Sequence, residues 1–181
     1  DEGSVLLPGV WDALSARLVH RAGIPAAFVS GYAVSGTLLG LPDFGYLTQT
    51  EMADVARRIS AANPDLLLVV DADTGYGNAL NTVRTTELWQ AAGASGLFLE
   101  DQVWPKRCGH MEGKKVIPAE EMVVKLRAAL DARRNPETVI IARSDATAVT
   151  GLDDAIRRSR LYADAGADGG QEPWRYRIDA T

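Results

Sequence analysis

The sequence predicts an α/β fold of parallel βα units, and three observations carry that prediction. Short apolar runs alternate regularly with longer amphipathic stretches. Two of the runs are apolar on consecutive residues, the pattern of strands buried on both faces of a parallel sheet. The C-terminal ends of those two runs turn acidic, at Asp71 and Asp73 and at Glu100 and Asp101, where parallel α/β proteins place their chemistry.

In chain order, the candidate strands cover residues 26–30, 66–73, 96–101 and 139–146. The candidate helices cover 11–22, 50–62, 82–92, 118–134 and 152–165. In the fourth helix Met122, Leu126 and Ala129 recur at helical spacing, so Glu120, Lys125 and Arg127 should face away from the core. Three helices should stop at Ala-Gly pairs, Ala22-Gly23, Ala92-Gly93 and Ala165-Gly166, where glycine takes the left-handed terminal position. Four strands fit a doubly wound sheet or the opening half of a (β/α)₈ barrel, which typically needs ~250 residues. After Asp168 the rhythm calls for another apolar strand, yet residues 169–181 are polar and broken by Pro173. Residues 1–168 are therefore expected to form the N-terminal part of a single domain, with 169–181 a divergent or truncated tail.

Bulk properties exclude several classes. The chain has 181 residues, 46% apolar and 24% charged, which suits one globular domain. A net charge of −5 with scattered basic residues leaves no footprint for nucleic acid. No apolar run reaches the ~18 residues of a membrane span, and the first seven residues lack a signal-peptide pattern, so no membrane partner and a cytoplasmic location are expected. Cys108 is the only cysteine, which rules out an intrachain disulfide.

Chemistry gathers in four places. Asp71 and Asp73, two residues apart on a strand, can share a hard cation on one side, or else only make an acidic turn that caps the next helix. Glu100 and Asp101 end the neighbouring strand and their carboxylates can converge on the same cation, with Asp43 a weaker candidate from a Pro-Asp loop. Lys106, Arg107 and His110 flank Cys108 in a Gly-containing loop, an electropositive setting that should lower the thiol's pKa; the other reading is an incidental cysteine in a basic turn. Gly109 and Gly113 would let this loop, residues 103–116, act as a mobile lid. Arg143 ends the fourth strand and can grip a carboxylate with two hydrogen bonds, or pair with Asp145 or Glu100. Ser30-Gly31-Tyr32 closes the first strand and can offer backbone N–H groups to a carboxylate. His20 lies on a helix and reads as structural.

Asp-Ala-Asp-Thr-Gly-Tyr-Gly-Asn at 71–78, Glu-Asp-Gln at 100–102, Lys-Arg-Cys-Gly-His at 106–110 and Ile-Ala-Arg-Ser-Asp-Ala at 141–146 occur in that order. Together they resemble the 2-methylisocitrate lyase-type members of the isocitrate lyase/phosphoenolpyruvate mutase superfamily, over about residues 7–168. The resemblance implies a (β/α)₈ TIM-type barrel with only its N-terminal half represented in this chain, usually in a homotetramer. It implies Mg²⁺, or Mn²⁺, at the strand ends, with Asp43, Asp71, Asp73 and Glu100 around it and Asp71 as the direct ligand. By the same resemblance Ser30, Gly31 and Arg143, with Tyr32 beside them, hold the substrate, and Cys108 is the general acid among Lys106, Arg107 and His110. The implied activity is a Mg²⁺-dependent carbon–carbon lyase that cleaves a small 2-hydroxy or 2-oxo di- or tricarboxylate, through an enolate, to an α-oxo acid and a carboxylate. Phe28 stands where methylisocitrate lyases carry Tyr, which turns the reading toward alkylmalates or oxaloacetate, or toward carboxyphosphonoenolpyruvate mutases. The alternatives are a P–C bond mutase or hydrolase of the same superfamily, where another residue tends to replace the loop cysteine, and a non-catalytic half-barrel.

Overall fold

In the computed structural model, residues 5–171 are described. Six parallel strands, β1 (Gly9–Val10), β2 (Ala26–Val29), β3 (Leu67–Asp71), β4 (Gly96–Glu100), β5 (Val139–Arg143) and β6 (Gly169–Gln171), form one sheet in the order β1-β2-β3-β4-β5-β6. Each strand lies beside its predecessor, and the winding never reverses. A doubly wound sheet reverses at a switch point, whereas strictly sequential winding belongs to a (β/α) barrel, so the topology decides between the two.

The helices are α1 (Ala13–Arg21), α2 (Gly31–Val34), α3 (Gln49–Ala62), α4 (Ala79–Ala91), α5 (Ala119–Asp131) and α6 (Leu152–Asp164), with a π-helical turn over Ser35–Leu39 after α2. Local chemistry explains their starts. Asp12, Thr48 and Asn78 each cap a helix in a reciprocal box with the residue three positions on. Asn78 therefore begins α4 at Ala79, three residues before the expected 82. Acidic pairs Glu120–Glu121 and Asp153–Asp154 open α5 and α6, where the helix dipole favours negative charge. Gly23, Gly93 and Gly166 follow the expected helix ends with φ of 79°, 92° and 106°, which only glycine adopts without strain.

Two strands escape the apolar pattern. β1 has two residues, too few for any periodicity. β6 is Gly169-Gly170-Gln171, and its register with β5, Ile141 to Gly169 through Arg143 to Gln171, needs no large side chain. The strand rhythm thus continues past Asp168; the rest of the expected tail, 172–181, lies outside the described residues.

The strands alternate in burial. Val29, Leu68, Val70, Leu99 and Ile140 are fully buried in the core cluster that also holds Trp89, Met122 and Leu126 of the helices. The opposite face carries Phe28, Val69, Phe98 and Ile141, with Phe28 and Phe98 edge to face at 5.1 Å. This face is only half-buried, and Leu67 at its lower end is 56% exposed. The expectation of burial on both faces therefore fails here, because β1 and β6 each have one neighbour and the described strands do not close on themselves. Asp71 and Arg143 lie on this incompletely covered face, at the C-terminal ends of β3 and β5.

Candidate active site at the strand ends

Asp71 ends β3 and is held from two sides. Its Oδ1 accepts from the Asp73 backbone at 3.0 Å, and its Oδ2 accepts from the Gly31 N–H at 3.3 Å. Gly31 has to be glycine: a Cβ there would lie 2.8 Å from Asp71 Oδ2. The Gly31 N–H expected for a substrate carboxylate thus faces Asp71, and Ser30 caps α2 by accepting from Ala33 at 3.3 Å. Tyr32 is 57% exposed and meets the His110 ring edge to face at 6.0 Å, at the rim of the site.

Asp73 does not continue the strand. The chain turns sharply after Ala72, and both Asp73 and Tyr76 adopt left-handed φ, 46° and 59°, which is strained for such residues. The turn is fixed from below by donors to its carbonyls. Trp89 Nε1 binds Asp71 O at 3.2 Å, Lys125 Nζ binds Thr74 O at 2.9 Å, and Thr85 Oγ1 binds Gly75 O at 3.0 Å. Lys125 is 4% exposed, so the expectation that it faces solvent is corrected: its stem lies along α5 and its ammonium reaches the strained turn. Burial lowers its pKa, with Glu121 opposing.

Lys106 stands among the acids. Its ammonium lies 2.6 Å from Asp43 Oδ1 and 2.6 Å from Asp73 Oδ1, with all three side chains buried. Asp43 is set in place by Ser35, whose buried hydroxyl donates to Leu41 O and Pro42 O at 3.0 and 3.3 Å. Burial pushes the Asp73 carboxyl up to about 6, against the pull of Lys106. Glu100 is raised well above the ordinary range, again by burial, with Arg143 opposing. Arg143 reaches Glu100 Oε2 at 3.6 Å and Asp145 Oδ2 at 3.2 Å, so the ion-pair reading of this residue is realised on both partners.

Cys108 departs from expectation. Its pKa is raised, first by burial and then by the Asp43 carboxylate; hydrogen bonds from the His110 and Gly109 backbone and the charge of Lys106 oppose this without overcoming it. The basic neighbours are engaged elsewhere: Lys106 with Asp43 and Asp73, and Arg107, exposed, with Glu112 O at 3.0 Å. Cys108 lines a cavity of about 580 Å³ together with Asp43, His110, Tyr32 and Leu41.

No group of three or more His, Cys, Asp or Glu side chains gathers tightly enough to cage a metal among the described residues. The donor set nevertheless fits Mg²⁺, which takes one or two carboxylates and keeps several waters. Asp71 is partly open, and buried Glu100 Oε1 has no hydrogen-bond partner among the described residues. The carboxylates of Asp43, Asp71, Asp73, Glu100 and Asp145 face the cations Lys106, Arg143 and Lys114, five against three, which leaves two negative charges when all are ionised.

Sequence reasoning missed how the buried groups behind this front are connected. Asp101 accepts from Ser144 Oγ at 2.8 Å, the Asp145 N–H at 2.9 Å, Tyr162 at 2.8 Å and Arg158 at 3.2 Å, joining β4, β5 and α6. Lys114 carried no sequence signal, being a single polar residue in a polar loop, and Gln102 was legible only as part of the Glu-Asp-Gln motif. Asp101, expected with Glu100 to converge on the cation, is instead taken up by these structural hydrogen bonds.

Residues 1–175 match the family described as phosphoenolpyruvate phosphomutase. Over 168 residues the chain is 56% identical to the petal death protein of Dianthus caryophyllus, covering 93% of this chain and 53% of that protein. A structure of 2,3-dimethylmalate lyase, a PEP mutase/isocitrate lyase superfamily member, superposes with a TM-score of 0.89 at 38% identity, over 93% of this chain and 56% of that one. A phosphonopyruvate hydrolase in complex with oxalate and Mg²⁺ does so with a TM-score of 0.84 at 32% identity, over 92% and 56%. The chain spans about half the length of the curated relatives it matches. A sequentially wound parallel sheet, acids at the ends of β3 and β4, a cysteine loop folded across them and a matching profile over nearly the whole chain agree, and the chain belongs to the phosphoenolpyruvate phosphomutase family of the PEP mutase/isocitrate lyase superfamily.

Proposed function

We propose that the protein is, or forms the N-terminal part of, a Mg²⁺-dependent carbon–carbon lyase acting on a small 2-hydroxy or 2-oxo dicarboxylate. The observation that carries this reading is the placement of Cys108 on one cavity with Asp43, next to the buried Lys106–Asp43–Asp73 cluster and the Arg143–Glu100 pair at the strand ends. Asp71 would bind the cation directly, with Asp43, Asp73 and Glu100 engaging it through water. When bound, Mg²⁺ stabilises negative charge on the oxygens next to the carbonyl being formed. Arg143, partly exposed and already oriented by Glu100 and Asp145, would grip the substrate carboxylate. As the C–C bond of a 2-hydroxy acid breaks, the hydroxyl proton leaves to a base and the bonding pair moves onto the departing carboxylate fragment as an enolate. Cys108 S–H then gives its proton to that carbon. Burial of the thiol suits this role, since a general acid has to carry its proton into the step.

A homotetrameric assembly, a cytoplasmic location and residues 1–168 as part of one barrel domain go with this proposal. Among the described residues no helix is long and apolar enough to cross a membrane. The test is turnover of alkylmalates, oxaloacetate and methylisocitrate with Mg²⁺, with phosphonopyruvate as the P–C control. Turnover should vanish with EDTA and in Asp71→Ala, whose Tm should also stop responding to Mg²⁺. Full turnover in metal-stripped protein would remove the metal from the reading.

A further inference from the structure

The loop between β4 and α5 is tied to the strand ends by groups that take no part in the chemistry above. Lys114 is 7% exposed, and its ammonium donates to Asp145 Oδ1 at 2.9 Å and to the Gly109 carbonyl at 2.6 Å. Gly109 adjoins Cys108 and presses on Arg143: a Cβ at Gly109 would sit 2.7 Å from the guanidinium Nη2. Asp145 is fully buried and shares its carboxylate between the loop's Lys114, the strand's Arg143 and the Gln102 amide. Gln102 in turn clasps the backbone of Arg107, accepting from its N–H at 3.0 Å and donating to its carbonyl at 2.9 Å. Both residues flanking the Cys108 thiol are thus anchored to one buried carboxylate.

We propose that Lys114 is a positioning residue: through Asp145 and the Gly109 carbonyl it latches the Cys108 segment down on Arg143. One carboxylate then orients both the cysteine loop and the arginine, so the distance between proton donor and carboxylate grip is set by a shared partner. Charge-assisted hydrogen bonds of this kind are roughly twice as strong as neutral ones, and here burial shields them from water. Removing Lys114 leaves Asp145 with Arg143 and Gln102, so the strand ends keep a partnered carboxylate and Arg107 keeps its Gln102 clasp, while the Gly109 side of the loop loses its tie.

The importance of the Cys108 position rests on the lyase reading, but the latch can be tested without turnover. Cys108 is the only cysteine of the chain, so iodoacetamide reads loop opening at a single atom. Lys114→Met should raise the alkylation rate about tenfold or more, as expected when a charged hydrogen bond holding the closed state is lost. Cleavage after Arg107 by trypsin should rise in parallel. Mn²⁺ binding should be retained, because the proposed cation ligands are untouched and the variant only removes a positive charge from the cluster. Lys114→Arg, which keeps the charge, should restore slow alkylation at least in part. In turnover, Lys114→Met should lower kcat far more than it changes KM. A folded Lys114→Met protein that alkylates at the wild-type rate overturns the proposal. If that variant does not fold, Lys114→Gln is read in the same way, and failure of both to fold also overturns it, because Lys114 would then hold the fold and not the loop. Fast alkylation in the variant with no turnover in the wild type would sink the lyase reading and leave the latch standing.

Discussion

Burial and the Asp43 carboxylate raise the Cys108 pKa, so its alkylation rate should climb with pH only above the range of an ordinary cysteine, near ~8.5. The sign follows from the raised pKa: the reactive thiolate is depleted at neutral pH and appears as pH rises through the elevated value. A pH–rate profile with its midpoint at or below that of a free cysteine would contradict the geometry. Cys108→Ser should retain metal and substrate binding while losing on the order of 10²-fold in turnover, since a hydroxyl is a far weaker acid than a thiol. The loop's sequence, Lys106-Arg107-Cys108-Gly109-His110, suggests the opposite charge state for the thiol. Adjacency in sequence could not reveal that Lys106 turns to Asp43 and Asp73 and that Arg107 points outward. The sequence allowed Arg143 to pair with Asp145 or Glu100, but it could not show that Lys106 pairs with Asp43 and Asp73 or Lys114 with Asp145, because those pairs join segments dozens of residues apart.

At the scale of elements, the strained turn after β3 is the feature most dependent on its support. Lys125 donates from α5 to the Thr74 carbonyl, a buried contact between elements distant in sequence. Lys125→Met should therefore cost about 1–3 kcal/mol of stability, the penalty of an unpaired buried carbonyl, where a substitution at exposed Arg127 costs little. Equal denaturation midpoints for the two variants would show that the turn stands without the lysine. Lys125 also shows where helical periodicity stops informing: it lies next to Leu126 at the edge of the buried stripe, and a flexible stem lets a charged residue bury its head when a carbonyl is within reach. The five long helices and four central strands were readable because apolar spacing repeats over enough residues to be distinctive. β1, α2 and β6 are too short to carry a period, and β6 is held by backbone pairing instead of side chains. The cysteine loop should resist proteolysis better with Mg²⁺ and oxalate present; equal cleavage with and without them would count against closure over the site.

At the scale of the whole molecule, sequential winding of six parallel strands gives β1 and β6 one strand neighbour each among the described residues and leaves the Phe28–Phe98 face half-covered there. The barrel could not be told from a doubly wound sheet by pattern alone, because both repeat the same βα unit and differ only in where each new strand is added. Motif order supplied what periodicity could not, since the acidic strand ends, the cysteine loop and the arginine follow one another as in the superfamily. The arrangement concentrates acids, cations and the Cys108 thiol at one end of the sheet, the end proposed to break a carbon–carbon bond with the help of a divalent cation. The most direct test is ¹³C NMR of product formation from alkylmalates and oxaloacetate, run with Mg²⁺, with EDTA and with the Cys108→Ser protein. The expected result is cleavage products from at least one of these acids only when Mg²⁺ and Cys108 are both present. Turnover of phosphonopyruvate in place of the carbon acids, or cleavage that proceeds equally without Mg²⁺ or with Cys108→Ser, would contradict it.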